Sequence, residues 1–247
     1  NPKSLTPMQK AYLLGKSKVF PLSQSSMHDF REFKGQMDAK TLAQRMSQLI
    51  ELYPALRTVI DETQLVQRVE SNIDVMQHLK IYDFSHFNLT QAAIKLEMLR
   101  EEYRHFSHDL STSPWQIALI QLPESAETSS VVLTSFDGLI IDGYSISVLL
   151  DQLFNLNNDL SLLSNNADQD SGQSDCSFFE ASEKDRQFWH EKLAQIEEVT
   201  QLPWVNSLDS ISKLIYSRRT VVIEKAQFDA LSKLAAQYTV FPNALLT

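Results

Sequence analysis

A strand-type run that breaks on an aspartate, turns, and re-enters as an amphipathic helix constrains this chain more than any other stretch of it. Val131-Val132-Leu133-Thr134-Ser135-Phe136 is apolar and β-branched, and Asp137-Gly138-Leu139-Ile140-Ile141-Asp142-Gly143-Tyr144-Ser145 follows. Ile146, Leu149, Leu150, Leu153 and Phe154 then recur at the spacing of one helix face. Two carboxylates five positions apart, Asp137 and Asp142, straddle that strand-to-helix turn and make it the best active-site candidate in the chain. The same spacing has a plain structural reading. Asp142 caps the helix, where free backbone N–H groups and the helix dipole favour a carboxylate, and Gly143 makes the turn.

Around this motif the chain alternates helical and strand patterns without strict βαβ regularity. Thr6-Pro7 opens a helix over Met8 to Leu14, because proline suits a first helical turn and threonine can cap it. Met27 to Phe33 reads as a strand, and Met37 to Tyr53 as a helix with Leu42, Met46, Leu49 and Ile50 on one face, ended by Pro54. Leu56 to Ile60 and Leu65 to Val69 read as strands about the turn Asp61-Glu62-Thr63, Gln91 to Phe106 as a helix, and Trp115 to Leu122 as a strand. From Asn155 to Cys176 the composition turns to Asn, Ser, Asp and Gln, which cannot bury enough apolar surface for a core element. Beyond it, Glu183 to Ile196 reads as a helix, Arg218 to Ile223 as a strand, and Ala226 to Tyr238 as a helix with Phe228, Leu231, Leu234 and Ala235 facing inward. The pattern predicts an α+β sandwich with a mixed sheet.

Charge and composition exclude several classes of function. A net charge of -9, with no clustered Lys or Arg, argues against nucleic acid and anionic membrane as partners. No apolar run reaches the length of a membrane span, the first residues have no secretory-signal pattern, and the single Cys176 allows no internal disulfide; the expected location is cytoplasmic. With 5 glycines and neither a P-loop nor a dinucleotide fingerprint, nucleotide chemistry is not expected here.

In this order, the segments resemble the heterocyclization branch of the condensation-domain family of nonribosomal peptide synthetases. Leu5-Thr6-Pro7-Met8-Gln9-Lys10-Ala11-Tyr12-Leu13-Leu14-Gly15-Lys16 is similar to the family's opening motif, with Lys16 where Arg is usual. Leu52-Tyr53-Pro54-Ala55-Leu56-Arg57-Thr58 is similar to its second motif, with Tyr53 where His is common. Asp137 to Ser145 fits the DxxxxDGxS pattern of the heterocyclization branch, where ordinary condensation domains carry HHxxxDG. Phe188-Trp189-His190-Glu191-Lys192-Leu193, Gln201-Leu202-Pro203 and Thr239 to Leu246 are weaker matches that extend the resemblance over essentially the whole chain.

The resemblance implies a lobe of the chloramphenicol-acetyltransferase type: residues 1–177 as the N-terminal lobe, with 155–177 its polar linker, and 178–247 as a crossover helix and the first elements of an incomplete C-terminal lobe. It also implies an enzyme that joins a carrier-bound acyl or peptidyl thioester to carrier-bound Cys, Ser or Thr and closes a thiazoline or oxazoline, in a pathway such as siderophore synthesis. Partners would be donor and acceptor carrier proteins, the second lobe and neighbouring synthetase domains. The phosphopantetheine arms belong to the carriers, and no cofactor is bound directly.

Within that frame Gly138 occupies the place of the second histidine, which excludes histidine chemistry there. Asp137 is expected to face the tunnel and influence catalysis, whereas Asp142 is expected to stay ionised in a buried, tunnel-shaping pair with Arg57, with Gly138, Gly143 and Ser145 supporting the turn. Asp142→Ala should then unfold or misassemble an intact domain. The family's dehydration residues, a Thr and an Asp, belong to the second lobe, so these 247 residues alone are expected not to cyclize a substrate. A different class of reading is an inactive lobe kept as a docking scaffold for carriers.

No metal site is expected. His105, His108 and Asp109 read as a solvated helix end, and the remaining histidines as packing or surface positions. Ser145 lacks the Gly-x-Ser-x-Gly setting of a nucleophile and reads as a helix-start hydroxyl, Cys176 has no expected catalytic role, and Trp115, Trp189 and Trp204 read as packing anchors.

Overall fold

The computed structural model describes residues 2–17, 27–157, 160, 182–196, 203, 205–207, 210–211 and 221–246. Its centre is a four-stranded mixed sheet in the order β2-β7-β6-β5, made of β2 (His28–Gly35), β5 (Leu79–Asp83), β6 (Trp115–Gln121) and β7 (Ser130–Asp137). β2 and β6 both run antiparallel to β7, while β5 and β6 are parallel. A parallel pair needs a crossover, and α4 (Leu89–Arg104) supplies it. A smaller antiparallel sheet joins β1 (Lys3–Ser4), β4 (Val66–Val69) and β3 (Thr58–Asp61).

Every residue of β7 is buried, because the strand is paired on both edges and covered on both faces. Alternation sorts its side chains. Val132 and Phe136 pack with Leu42, Met46, Leu49 and Ile50 of α2 (Ala39–Leu52) and with Ile146, Leu149, Leu150 and Leu153 of α5 (Gly143–Phe154). Val131 and Leu133 pack on the other face with Ala92, Leu96, Leu99 and Tyr103 of α4. Ser135 and Asp137 share the parity of this second face, and they are polar. A third cluster, Leu5, Leu13, Ile60, Leu110 and Leu139, fixes α1 (Pro7–Lys16) to the small sheet and to the turn after β7.

Local chemistry accounts for the helix starts. Thr6 and Gln9 form a capping box at α1, Asp38 caps α2, and Asn88 with Gln91 caps α4. The α+β class, the mixed sheet and most elements agree with the sequence pattern. The strand expected from Leu56 begins only at Thr58, because Pro54–Arg57 is a 3-10 turn with Pro54 at its start. The pattern missed β1, β5 and the short α3 (Val75–His78), all too brief or too exposed for a periodic signal.

Helix Glu183–Ala194 forms as expected, but Phe188, Trp189, Leu193 and Ile196 are exposed, and so Trp189 is no core anchor. Trp115 is, at 2% exposure, with its indole N–H on the Leu56 carbonyl. Chain contacts divide the molecule into Asn1–Ser212 and Lys213–Thr247. In the second unit, helix Lys225–Gln237 precedes a 3-10 turn, Pro242–Leu245; Ala235 is buried, while Phe228 and Leu234 are exposed rather than inward. Val221–Ile223 is irregular; residues 218–220, most of the 155–177 segment including Cys176, and Trp204 lie outside the described residues. Among the described residues no helix is long and apolar enough to cross a membrane.

Candidate functional site

The turn between β7 and α5 is built on the Asp137 carboxylate. Its Oδ1 accepts the Leu139 N–H at 3.0 Å, its backbone N–H donates to the Pro114 carbonyl at 2.9 Å, and the Ile140 N–H returns to the Asp137 carbonyl at 3.2 Å. Oδ2 lies 3.4 Å from Lys16 Nζ, at the last turn of α1. The whole residue is 0% exposed. Gly138 is required by close approach, since its N–H bonds the Met27 carbonyl at 2.6 Å and a Cβ would meet that oxygen at 2.9 Å and the Tyr12 ring at 3.2 Å. Gly143 has no such need: a Cβ there meets nothing within 4 Å and its φ is not positive, which corrects the expectation that it makes the turn.

Asp142 caps α5. Its carboxylate accepts the Ser145 N–H at 2.8 Å and the Ser145 hydroxyl at 3.1 Å, so Ser145 is the helix-start hydroxyl expected. These bonds, the Ser145 N–H foremost, hold the exposed Asp142 carboxyl below the usual carboxylate range and keep it ionised at neutral pH. It lines a cavity of about 580 Å³. The turn from Gly138 to Asp142, the first turns of α5, Met8, Gln9 and Tyr12 of α1, and Tyr53 line the same space. Tyr53 donates its hydroxyl to Gln152 at 2.6 Å.

The two aspartates therefore exchange the environments expected of them. Asp137 is buried beside a lysine and is not among the cavity's lining residues; Asp142 is exposed and is. The Arg57–Asp142 pair does not form. Arg57 Nε instead donates to the Ile50 carbonyl at 2.9 Å and Nη1 to the Glu70 carbonyl at 2.7 Å, tying α2 to the end of β4, while Asp142 is satisfied by its own helix N-terminus.

His108 corrects another expectation. It is buried, with Nε2 2.9 Å from Ser135 Oγ, and burial pushes its imidazole down to about 4 although Asp137 acts in the opposite direction. His105, bonded to Glu101 at 3.1 Å, and the exposed Asp109, which accepts the Ser111 N–H at 2.9 Å, fit the solvated reading. The sequence reading gave none of Lys16, Ser135 and His108 a place behind this turn. Ser135 and Asp137, the polar residues on the strand face that Val131 and Leu133 otherwise make apolar, were the signal that could have found them. Among the described residues no cluster suited to a metal occurs.

Comparison with known proteins gives the family and the fold. The family model described as "Condensation domain" matches residues 2–247. The chain belongs to the condensation-domain family. Bacitracin synthase 1 of Bacillus licheniformis is 22% identical over 247 residues, covering 98% of this chain and 5% of that protein. Surfactin synthase subunit 3 of Bacillus subtilis is 25% identical over 162 residues, covering 63% of this chain and 12% of that protein. The EpoB cyclization-docking bidomain of Sorangium cellulosum superposes with a TM-score of 0.74 at 17% identity, over 98% of this chain and 49% of its own. The condensation-domain chain thus spans about half of that solved structure and a small part of the two synthetases.

Proposed function

We propose that this chain is part of a heterocyclization domain, the branch of the condensation family that joins a carrier-bound acyl or peptidyl thioester to a carrier-bound Cys, Ser or Thr and then closes the side chain into a thiazoline or oxazoline. The observation that carries the reading is the motif turn: aspartates at positions 137 and 142, and between them a Gly138 whose missing Cβ is demanded by the Met27 carbonyl at 2.9 Å. A histidine at 138, as in the HHxxxDG pattern, does not fit this backbone.

In the first step the acceptor amine attacks the donor thioester carbonyl, loses a proton and expels the pantetheine thiol. In the second, the acceptor's thiol or hydroxyl adds to the new amide carbonyl and the resulting tetrahedral carbon loses water. Both steps move protons and develop charge on oxygen. Asp142, ionised and exposed in the cavity, is the motif carboxylate placed to meet an incoming amine, while Asp137 acts from behind the turn. The partners are donor and acceptor carriers with their phosphopantetheine arms and the adjoining synthetase domains, and a siderophore pathway is one setting for the product.

The test is mass spectrometry of the products of the full-length protein with acceptors loaded with L-cysteine, L-serine and L-threonine. Heterocyclization yields a product one water lighter than the amide. Amide alone identifies an ordinary condensation domain, and neither product, with carriers still bound, identifies a docking scaffold.

A further inference from the structure

Behind the motif turn, on the α4 face of the central sheet, charged and polar side chains gather in apolar surroundings. Lys16 and Asp137 face each other at 3.4 Å with side chains 12% and 1% exposed. Two residues back along β7, Ser135 is bonded to His108. His28, opposite Asp137 in the strand register, stands edge-on to His108 with ring centroids 6.5 Å apart, and its Nε2 lies 3.0 Å from the Tyr103 carbonyl.

This cluster lies just where two walls of the cavity are joined. Lys16 ends the helix that presents Met8, Gln9 and Tyr12 to the cavity, and Asp137 begins the turn that presents Gly138 to Asp142. Gln9 adds a second tie, donating to the Leu139 carbonyl at 2.8 Å. Displacing either tie moves α1 against the turn, and misplacement of about 1 Å in a reacting site can change a rate about a hundredfold.

We infer that Lys16 and His108 are positioning residues for ring closure: Lys16 holds the Asp137 carboxylate and so the spacing of α1 and the motif turn, and His108, anchored by Ser135, fills the space behind that carboxylate as a neutral hydrogen-bonding ring and carries no proton in the reaction. The inference rests on the heterocyclization reading. Lys16 from α1, His28 from β2 and Asp137 from β7 all act on His108, as does His78, and three of these four are cationic when protonated. A second positive charge next to Lys16 is disfavoured there, in keeping with the burial of the ring.

The test uses the full-length protein in the organism that makes it, with the heterocyclic product and its uncyclized amide quantified by mass spectrometry and folding followed by thermal melting. Lys16→Met is expected to lower the ratio of heterocycle to amide about tenfold or more, with Lys16→Arg restoring it, because a guanidinium can replace the ammonium at that carboxylate. The double variant Lys16→Met/Asp137→Asn should lose less than the product of the two single losses, the mark of a direct pair. His108→Gln should keep the ratio and its pH profile, and His108→Phe should lose it. An unchanged ratio in Lys16→Met at wild-type carrier binding, or with only a lowered melting point, overturns the role of Lys16. A loss in His108→Gln equal to that in His108→Phe makes the ring a proton carrier and overturns its role. A wild-type protein that yields amide alone overturns the heterocyclization reading itself, an outcome separate from the other two.

Discussion

Asp137 and Asp142 are five residues apart in one turn, and almost nothing else about them is alike. Asp137 ends a strand with partners on both edges, so its side chain is committed to the interior and must find a cation; Lys16 supplies one. Asp142 precedes a helix whose free N–H groups satisfy it locally, so it can remain at the surface of the cavity without any distant partner. A carboxylate neutralised by tertiary structure is a fold determinant. One neutralised by its own helix end is free to meet a ligand.

The largest difference between them should appear in stability. Removing one partner of a buried ion pair takes away the other's counter-charge, so Asp137→Asn and Lys16→Met should each lower unfolding free energy by about 3–5 kcal/mol in urea titrations. Equal stability of Asp137→Asn and wild type would erase the contrast drawn between the two carboxylates.

Acid should sharpen the same contrast, because His108 lies on the Asp137 side of the sheet. Its imidazole titrates at about 4 in the folded protein against an ordinary 6.5, so below pH 6.5 the unfolded chain binds a proton that the folded chain refuses. Stability is therefore lost as pH falls from about 6.5 to about 4, by up to about 3 kcal/mol from this group, and not further below. Burial lowers His78 as well, which adds a loss of the same sign. The His108→Gln variant should show a flatter stability profile across that window, and an unchanged slope would mean that His108 is not the group responsible.

What the sequence made legible, and what it did not, follows the range of the interactions. Helix starts depend on residues close in sequence, so the Thr6 and Asp142 caps could be read directly, although the Gln9 half of the first capping box was not. Strands β6 and β7 declared themselves by apolar runs. The partner of Asp137 could not be read, because Lys16 lies 121 positions away, and its ordinary lysine character gives no sign of a buried role. Arg57 misled for the same reason: arginine next to a motif suggests a carboxylate partner, but the carbonyls left open at the end of α2 and after β4 are nearer and suffice. His108 was misread because a histidine shortly after a helix is usually solvated, and only the fold of the loop brings it onto Ser135.

Gly138 separates the two carboxylates and offers a smaller test. Gly138→Ala places a Cβ 2.9 Å from the Met27 carbonyl, which is backbone and cannot swing aside, so a destabilisation of about 1–3 kcal/mol is expected. Gly143→Ala, with open space around its Cβ, should be neutral or slightly stabilising, since alanine suits a helix better. If the two glycine variants behave alike, the close approach at Gly138 is not what fixes the residue.

The smallest stability effect belongs to Asp142, and it is the one that bears on function. Had it formed a buried pair with Arg57, Asp142→Ala would unfold the domain; as an exposed helix cap, the change should cost about 1 kcal/mol, the usual worth of a lost side-chain cap. Asp142→Asn keeps a capping oxygen for the Ser145 N–H while removing the negative charge, and should be closer still to wild type in stability. Heterocycle formation should separate these effects from chemistry. If the ionised carboxylate meets the acceptor amine in the cavity, both variants lose product while remaining folded, and the asparagine variant loses it despite an intact cap. Full product formation by folded Asp142→Asn would reduce Asp142 to a helix cap and leave the cavity without its charged contact.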